Sequence, residues 1–439
     1  MNEPEPDTFL EPRPLRPNGE IRDSDSRYWI NNLIVVWIAQ FTVVVGFSFV
    51  FPFIPLFVLD LGVTDPGQAA LWAGISGGAM GLTMFIFGPI WGMLGDRFGR
   101  KKNVLRAIVG GGTLLVLSGF SADVYQLTLF RLLSGVTSGT FAPAMALVAS
   151  TSPRDRIPFC MGALQSAMFL GSTIGPLFGG ILAESVGFRG AFFVAGGTVL
   201  LAGILVLIFA REDFRKAAVT VETTVNDSRN PTNTTNFWQM LSSKEMAPLL
   251  GTIFVVQFAP TLLFVVLPVL LNLLSPGSGA PMTGIAFAIL GVTAAMSSYV
   301  TGWISNHVKL TTVLAVSSVG AGVFYLPLIT LVSIPLMFLF LGISGLFQGA
   351  MLSSTSGLLG LRAPSGRQGA AFGALQSVSA AAFGLGPFIG GVVATTVGLR
   401  AVPLVQALTL FVAAGLVVWL MRGQDEKSTG RQKRPRADR

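Results

Sequence analysis

The chain of 439 residues contains one cysteine, Cys160, and one histidine, His307. A single thiol excludes an internal disulfide, and one imidazole beside one thiol leaves no ligand set for zinc, so no metal is expected. Charge is equally scarce. Asp, Glu, Lys and Arg make up 11% of the chain against 51% hydrophobic residues, and mean hydropathy is +0.68. A soluble protein of that composition would lack the polar surface to cover itself, so its solvent is lipid. No GxxxxGK[ST] segment is present, which excludes P-loop ATP hydrolysis. No cofactor is expected, and uphill work would draw on an ion gradient. No grouping of nucleophile, base and acid supports an enzyme. The net charge of +8 does not point to nucleic acid, because the basic residues sit in short loops and a tail between apolar runs rather than on one face.

What is present is a series of apolar runs long enough to cross roughly 30 Å of hydrocarbon, about 20 residues each. After a polar cytoplasmic tail at 1–28, without the pattern of a signal peptide, six spans fall near 30–59, 69–93, 103–121, 124–149, 159–183 and 190–210. A polar, Ser/Thr/Asn-rich segment at 211–245 reads as a cytoplasmic linker. Six further spans follow near 246–274, 282–305, 310–332, 334–361, 367–396 and 400–421, and a basic tail at 422–439 ends the chain. The expected fold is all-α: twelve transmembrane helices in two six-helix bundles, 29–210 and 246–421. With the amino terminus inside, the outer loops hold only Arg189 and Arg400 as basic residues. The positive-inside rule therefore puts both termini in the cytoplasm, and the expected location is the plasma (inner) membrane.

The halves are copies. Residues 162–189 recur 211 positions later at 373–400, with 13 of 28 positions identical, among them Gly175-Pro176/Gly386-Pro387 and Gly179-Gly180/Gly390-Gly391. Such repeats meet at a substrate site near the bilayer midplane. Four other features stand out. The loop between spans two and three reads Gly92-Met93-Leu94-Gly95-Asp96-Arg97-Phe98-Gly99-Arg100-Lys101-Lys102, whose glycines permit a tight turn and whose cations fix it in the cytoplasm. Its repeat mate at Gly302 has Asn306 in place of Asp96. Span four carries Arg131 roughly 12 Å from the outer surface at 1.5 Å per residue. A mid-helix arginine costs about 2.5–3.5 kcal/mol to insert, so it faces a wet cavity or a polar partner, or else snorkels to headgroups; Leu341 replaces it in the second half. Span five supplies Gly171, Gly175, Pro176, Gly179 and Gly180, a bare helix face for close packing, expected along the interface between the halves. Gln40, Gln165, Gln257, Gln348 and Gln376 are polar groups for a substrate cavity, with helix-to-helix hydrogen bonding as the alternative.

The loop signature, the twelve spans, the linker and the paired halves together resemble the major facilitator superfamily. The GxxxGPxxGG pattern of span five is similar to that of its drug:proton antiporters. The resemblance implies export of drug-like or amphipathic small molecules by alternating access, in exchange for protons, by a monomer in the lipid bilayer. A carrier of the same fold for a metabolite, or a sensor that no longer transports, is the alternative. It also implies that Asp96 latches onto the start of span eleven, near Gly366 and Arg367, and that Arg131 takes part in ion coupling. Asp60 is a further candidate for coupling at the end of span one. No Asp or Glu lies mid-span, so the proton carrier has no residue assigned to it.

Overall fold

A computed structural model describes residues 28–137, 139–153, 156–212, 246–305, 307–330, 333–362 and 368–432. The polar tail before Tyr28, the linker beyond Glu212, Asn306, the Gly366-Arg367 start of span eleven and the last seven residues lie outside them. Every described element is helical. Ten segments are long and apolar enough to cross a membrane. One of them, Phe159–Phe209 at 51 residues, is two helices joined at Gly187, whose φ of 73° leaves the helical range. A twelfth crossing, Arg100–Gly119, falls short of that apolarity because its first turn and Arg106 are basic.

In chain order the helices are α1 (Tyr28–Val50, continued by Ile54–Asp60), α2 (Pro66–Phe98), α3 (Arg100–Gly119), α4 (Val124–Thr137, continued by Phe141–Thr151), α5 (157–186) and α6 (188–209). The second half comprises α7 (Met246–Leu262, continued by Leu267–Leu274), α8 (Gly279–Ile304), α9 (Leu310–Tyr325), α10 (Ile334–Arg362), α11 (Gln368–Thr396) and α12 (Val402–Gln432). The last helix runs past the expected boundary at 421 into the segment read as a tail. Residues there such as Gln424, Glu426 and Lys427 are good helix formers, so polarity ends the span without ending the helix.

Besides α4, interrupted around Gly139 at φ 98°, two helices break where sequence reading placed continuous spans. In α1 a 3-10 turn at Phe51–Phe53 precedes a new helix with proline in its first turn. In α7 the break at 263–266 likewise precedes Leu267-Pro268. Proline at the start of a helix needs no backbone donor and has the right φ already, so each restart is written locally. Aligned at an offset of 213, Phe51 pairs with Phe264 and Pro55 with Pro268.

The halves meet along two helix crossings, α2 with α11 and α5 with α8, and the crossings repeat each other. A methyl placed on Gly180 would lie 2.8 Å from the Ala280 carbonyl oxygen, and one on Gly391 2.7 Å from that of Ala70. A methyl on Gly284 would likewise lie 2.6 Å from the Pro176 carbonyl oxygen, and Gly74 abuts that of Pro387. Ala70/Ala280 and Gly74/Gly284 are mates at an offset of 210, Gly180/Gly391 and Pro176/Pro387 at 211. The expectation that the whole span-five motif lines this interface is corrected. Gly171, Gly175 and Gly179 face α1, against Val44, Ser48 and Phe49, inside their own half. Only Pro176 and Gly180 reach across, because positions four apart share one helix face and Gly180 lies about 100° round from Gly179.

Among the described residues, contact between the halves runs from the end bearing Asp60, Asp65, Asp123 and Glu184 past the middle of both crossings, as far as Gly81 against Gly384 and Gly291 against Thr173. Toward the basic end, which bears the α2–α3 loop, the crossings part. A methyl on Gly88, Gly162 or Gly302, which lie on the same helix faces as Gly81, Gly180 and Gly284, would meet nothing within 4 Å. The halves thus enclose a space closed at the acidic end and open at the basic one. Gly284→Leu should oppose this closure: overpacking costs about 1–3 kcal/mol, a shift of about 5- to 150-fold in a conformational equilibrium. A thiol introduced at Phe51 should then react faster with an impermeant maleimide from the acidic side, whereas an unchanged rate would show that this crossing does not seal that end.

Candidate functional site

Where the two halves close, four aromatic rings converge. The repeat mates Phe51 and Phe264 meet edge to face with centroids 5.1 Å apart. Phe383 of α11 lies 4.7 Å from Phe51, and Phe287 of α8 lies 4.7 Å from Phe264. Offset and edge contacts of this kind add to the area they bury. Three of the four rings come from the second half, and the first half contributes a cation. The Arg131 guanidinium sits over the Phe51 ring, 5.1 Å from its centroid, a distance at which a cation is attracted to the ring face.

Arg131 is 1% exposed, which rules out snorkelling to headgroups. It faces inward from α4, whose close approach to α2 is set by Gly135: a side chain there would collide with Thr83 and the Met80 carbonyl. Thr83 Oγ1 donates to the Leu132 carbonyl at 2.9 Å and joins the two helices beside the arginine. The second half repeats the packing, Gly345 against Thr293, with Leu341 fully buried where the arginine would be. Among the described residues, the Nε and Nη2 atoms of Arg131 have no hydrogen-bond partner.

The other residues expected to form a site do not all gather here. Asp60 ends α1 at the acidic surface and is exposed. Gln257 Nε2 donates to Ser379 Oγ at 2.7 Å and ties α7 to α11, the helix-to-helix alternative realised. Gln40 is buried at 4% exposure, while Gln165 and Gln348 are half-buried. Near Gln165, Trp37 stacks on Phe41 at 5.5 Å and donates Nε1 to Ser166 Oγ at 3.2 Å. The side chains of Gln376 and Asp96 are not described.

At the basic end the α2–α3 loop is held by groups that its motif does not contain. Gly99 takes φ 111°, a value that favours glycine, and lets α3 start directly after α2. The backbone N–H groups of Arg100 and Lys101 donate to Glu212 Oε1 and Oε2 at 2.9 and 2.8 Å, so a carboxylate beyond α6 caps α3 and meets its positive end. Lys101 Nζ donates to the Leu207 carbonyl at 2.9 Å. Arg97 lies 5.5 Å from the Phe98 centroid. Gly95 leaves room for Asn103, whose Nδ2 donates to the Trp91 carbonyl at 2.8 Å. Arg106 stacks on Trp91 at 3.7 Å and donates to the Thr137 carbonyl at 3.0 Å, and Trp91 Nε1 donates to the Val136 carbonyl at 2.7 Å. These partners join α2, α3, α4 and α6. Asn32 adds α1 through paired bonds of 2.7 and 2.9 Å with the Arg211 backbone. Sequence reading missed Glu212, Trp91, Asn103 and Arg106. The proximity of Trp91 and Arg106 to the loop was the one available signal, since Glu212 is 112 residues from Arg100.

With two pseudo-symmetric halves, a space open at one end and a buried cation against the closed gate, the molecule has the architecture of a membrane carrier. The chain belongs to the Major Facilitator Superfamily, whose profile matches residues 36–333 and 277–438. It is 31% identical over 400 residues to a protein of Rahnella sp. (strain Y9602) named Multidrug resistance protein MdtG, covering 90% of this chain and 94% of that one. The protein of the same name from Escherichia fergusonii is 30% identical, with 87% and 92% covered. Among solved structures, a bacterial homologue of the human lysosomal transporter Spinster, inward-facing and occupied, superposes with a TM-score of 0.72 at 18% identity over 91% of this chain and 98% of that one, a likeness of fold.

Glu212→Ala removes the acceptor of two backbone donors at a helix start. Hydrogen bonds to a charged group are worth about 1.5–3 kcal/mol, so the variant should unfold at lower temperature in thermal melts, with Glu212→Gln intermediate. A melt identical to that of the parent would show that solvent caps α3 equally well.

Proposed function

We propose that this protein exports drug-like or amphipathic small molecules from the cytoplasm by alternating access, exchanging them for protons as a monomer in the plasma membrane. In this reading both termini and the α2–α3 loop are cytoplasmic, the bundles 29–210 and 246–421 rock about the two glycine crossings, and the linker joins them. The conformation described is the one that receives substrate from inside. The observation that carries the reading is the aromatic cluster with Arg131 behind it, at the point where the open space meets the closed gate: an apolar, polarisable surface for greasy ligands beside a buried charge able to sense them. The name shared by the relatives, multidrug resistance protein, supports the substrate class. Asp96, as a latch, would stabilise the alternate conformer, and Asp60 stands at the outer mouth where protons would enter.

The deciding measurement uses proteoliposomes of known orientation. An inward proton gradient should drive a lipophilic dye toward the extracellular side, and an uncoupler should stop it. Arg131→Ala should insert yet lose gradient-driven transport. Accumulation on the cytoplasmic side would overturn the direction, and undiminished transport by Arg131→Ala would remove the arginine from coupling.

A further inference from the structure

Arg131 is a cation that cannot discharge. An arginine stays protonated in proteins, and unlike a lysine it cannot relieve burial by losing its charge. Its counter-charge must come from somewhere, and among the described residues no carboxylate supplies it. Asp65 and Asp123 accept from the Gln68 and Gln126 backbone N–H groups at 2.7 and 2.8 Å, Glu212 caps α3, and Asp60 and Glu184 are exposed at the acidic end. No sequence mate takes part either, because the equivalent position is Leu341.

The manner in which Arg131 is unsatisfied says what would complete it. Among its nitrogens, Nε and Nη2 are enclosed without a partner, and they lie on one edge of the guanidinium with their N–H bonds roughly parallel. That edge is the side-on fork that receives a bidentate acceptor. The ring of Phe51 covers a face of the group rather than this edge. Ser134, one turn on, is fully buried and gives its proton to the Phe130 carbonyl at 2.8 Å, and Thr128, one turn back, gives its own to the Val124 carbonyl at 2.8 Å. We propose that Arg131 holds a monovalent anion on its Nε/Nη2 edge, behind the Phe51–Phe264–Phe383 gate. Both atoms are enclosed in this conformer, so a small inorganic anion reaches the edge only when the packing around Phe51 loosens. A substrate carboxylate presents the same chemistry and would reach the edge only with Phe51 displaced. Either ligand neutralises the arginine, so its presence changes the charge buried beside the gate, independently of the direction of transport or of proton coupling.

The full-length protein, in lipid nanodiscs at fixed pH and ionic strength, is titrated with sodium chloride replacing sodium gluconate while Tm is followed, and separately with sodium benzoate. A small anion bound at this edge gives a saturable rise in Tm of about 1–3 °C with chloride, lost in Arg131→Gln and weakened in Arg131→Lys, which keeps the charge without the fork. A saturable response to benzoate that abolishes the chloride response assigns the same edge to a carboxylate. If wild-type protein shows no saturable response to either anion, the site does not exist. A response that survives in Arg131→Gln places the anion elsewhere. Because the wild-type titration alone can sink the proposal, poor folding of Arg131→Gln does not shield it, and a failure of drug export in proteoliposomes leaves the anion titration unaffected.

Discussion

Backbone-to-backbone contact between the halves is the constraint from which the rest of the molecule follows. In a bilayer no hydrophobic effect drives one helix onto another, so association rests on close packing and dispersion, which bare glycine surfaces maximise. The Ala70–Gly391 and Gly180–Ala280 approaches, with Gly74–Pro387 and Pro176–Gly284 one turn away, put helix against helix with few side chains between. A contact of this kind has few interlocking parts. The one hydrogen bond across it that stands out, Thr395 Oγ1 to the Gly67 carbonyl, is long at 3.3 Å. Such a surface holds the halves together without fixing their angle, which suits a hinge between rigid bundles.

Rigidity is supplied within each half. The same helices that touch across the interface present their next face inward: Gly175 and Gly179 seat α5 on α1, and Gly386 and Gly390 seat α11 on α7 against Thr261 and Leu262. A single short glycine pattern therefore serves two joints, one stiff and one loose. The duplication preserves both. It does not preserve the chemistry at the centre. Where the first half has Gly77, Arg131 and Ser172, the second has Phe287, Leu341 and Phe383. Charge went to one side and aromatic surface to the other, and only their meeting at Phe51 unites them.

Much of this was legible in the sequence, and the parts that were not share a cause. Apolar length gave the crossings, and the repeated Gly-Pro and Gly-Gly pairs gave the duplication, because both signals are local. Arg131 was legible as an oddity, since an inserted charge costs enough to demand a reason. The partner of each glycine was not, because spacing defines a helix face without saying which neighbour covers it. Gln257 illustrates the same gap: its amide could serve a ligand or a helix, and Ser379, 122 residues away, decides for the helix. The breaks at Phe51–Phe53 and 263–266 were written in Pro52, Pro55 and Pro268, yet hydropathy averages across a break that stays apolar.

The basic end completes the mechanical picture. There the first half is stitched across α1, α2, α3, α4 and α6 by polar groups: Asn32 to Arg211, Glu212 to the start of α3, Arg106 and Trp91 to the break in α4. These bonds run within one half, so the open end loses none of them when the halves part, and the acidic end gives up mainly packing when it opens. A carrier needs the two gated states to lie within a few kcal/mol of each other. Placing the strong polar contacts inside a half, and leaving weak glycine contacts between halves, keeps the energy difference small by construction. The buried charge at Arg131 and the aromatic gate it touches are then positioned to tip a balance that the rest of the structure leaves nearly even.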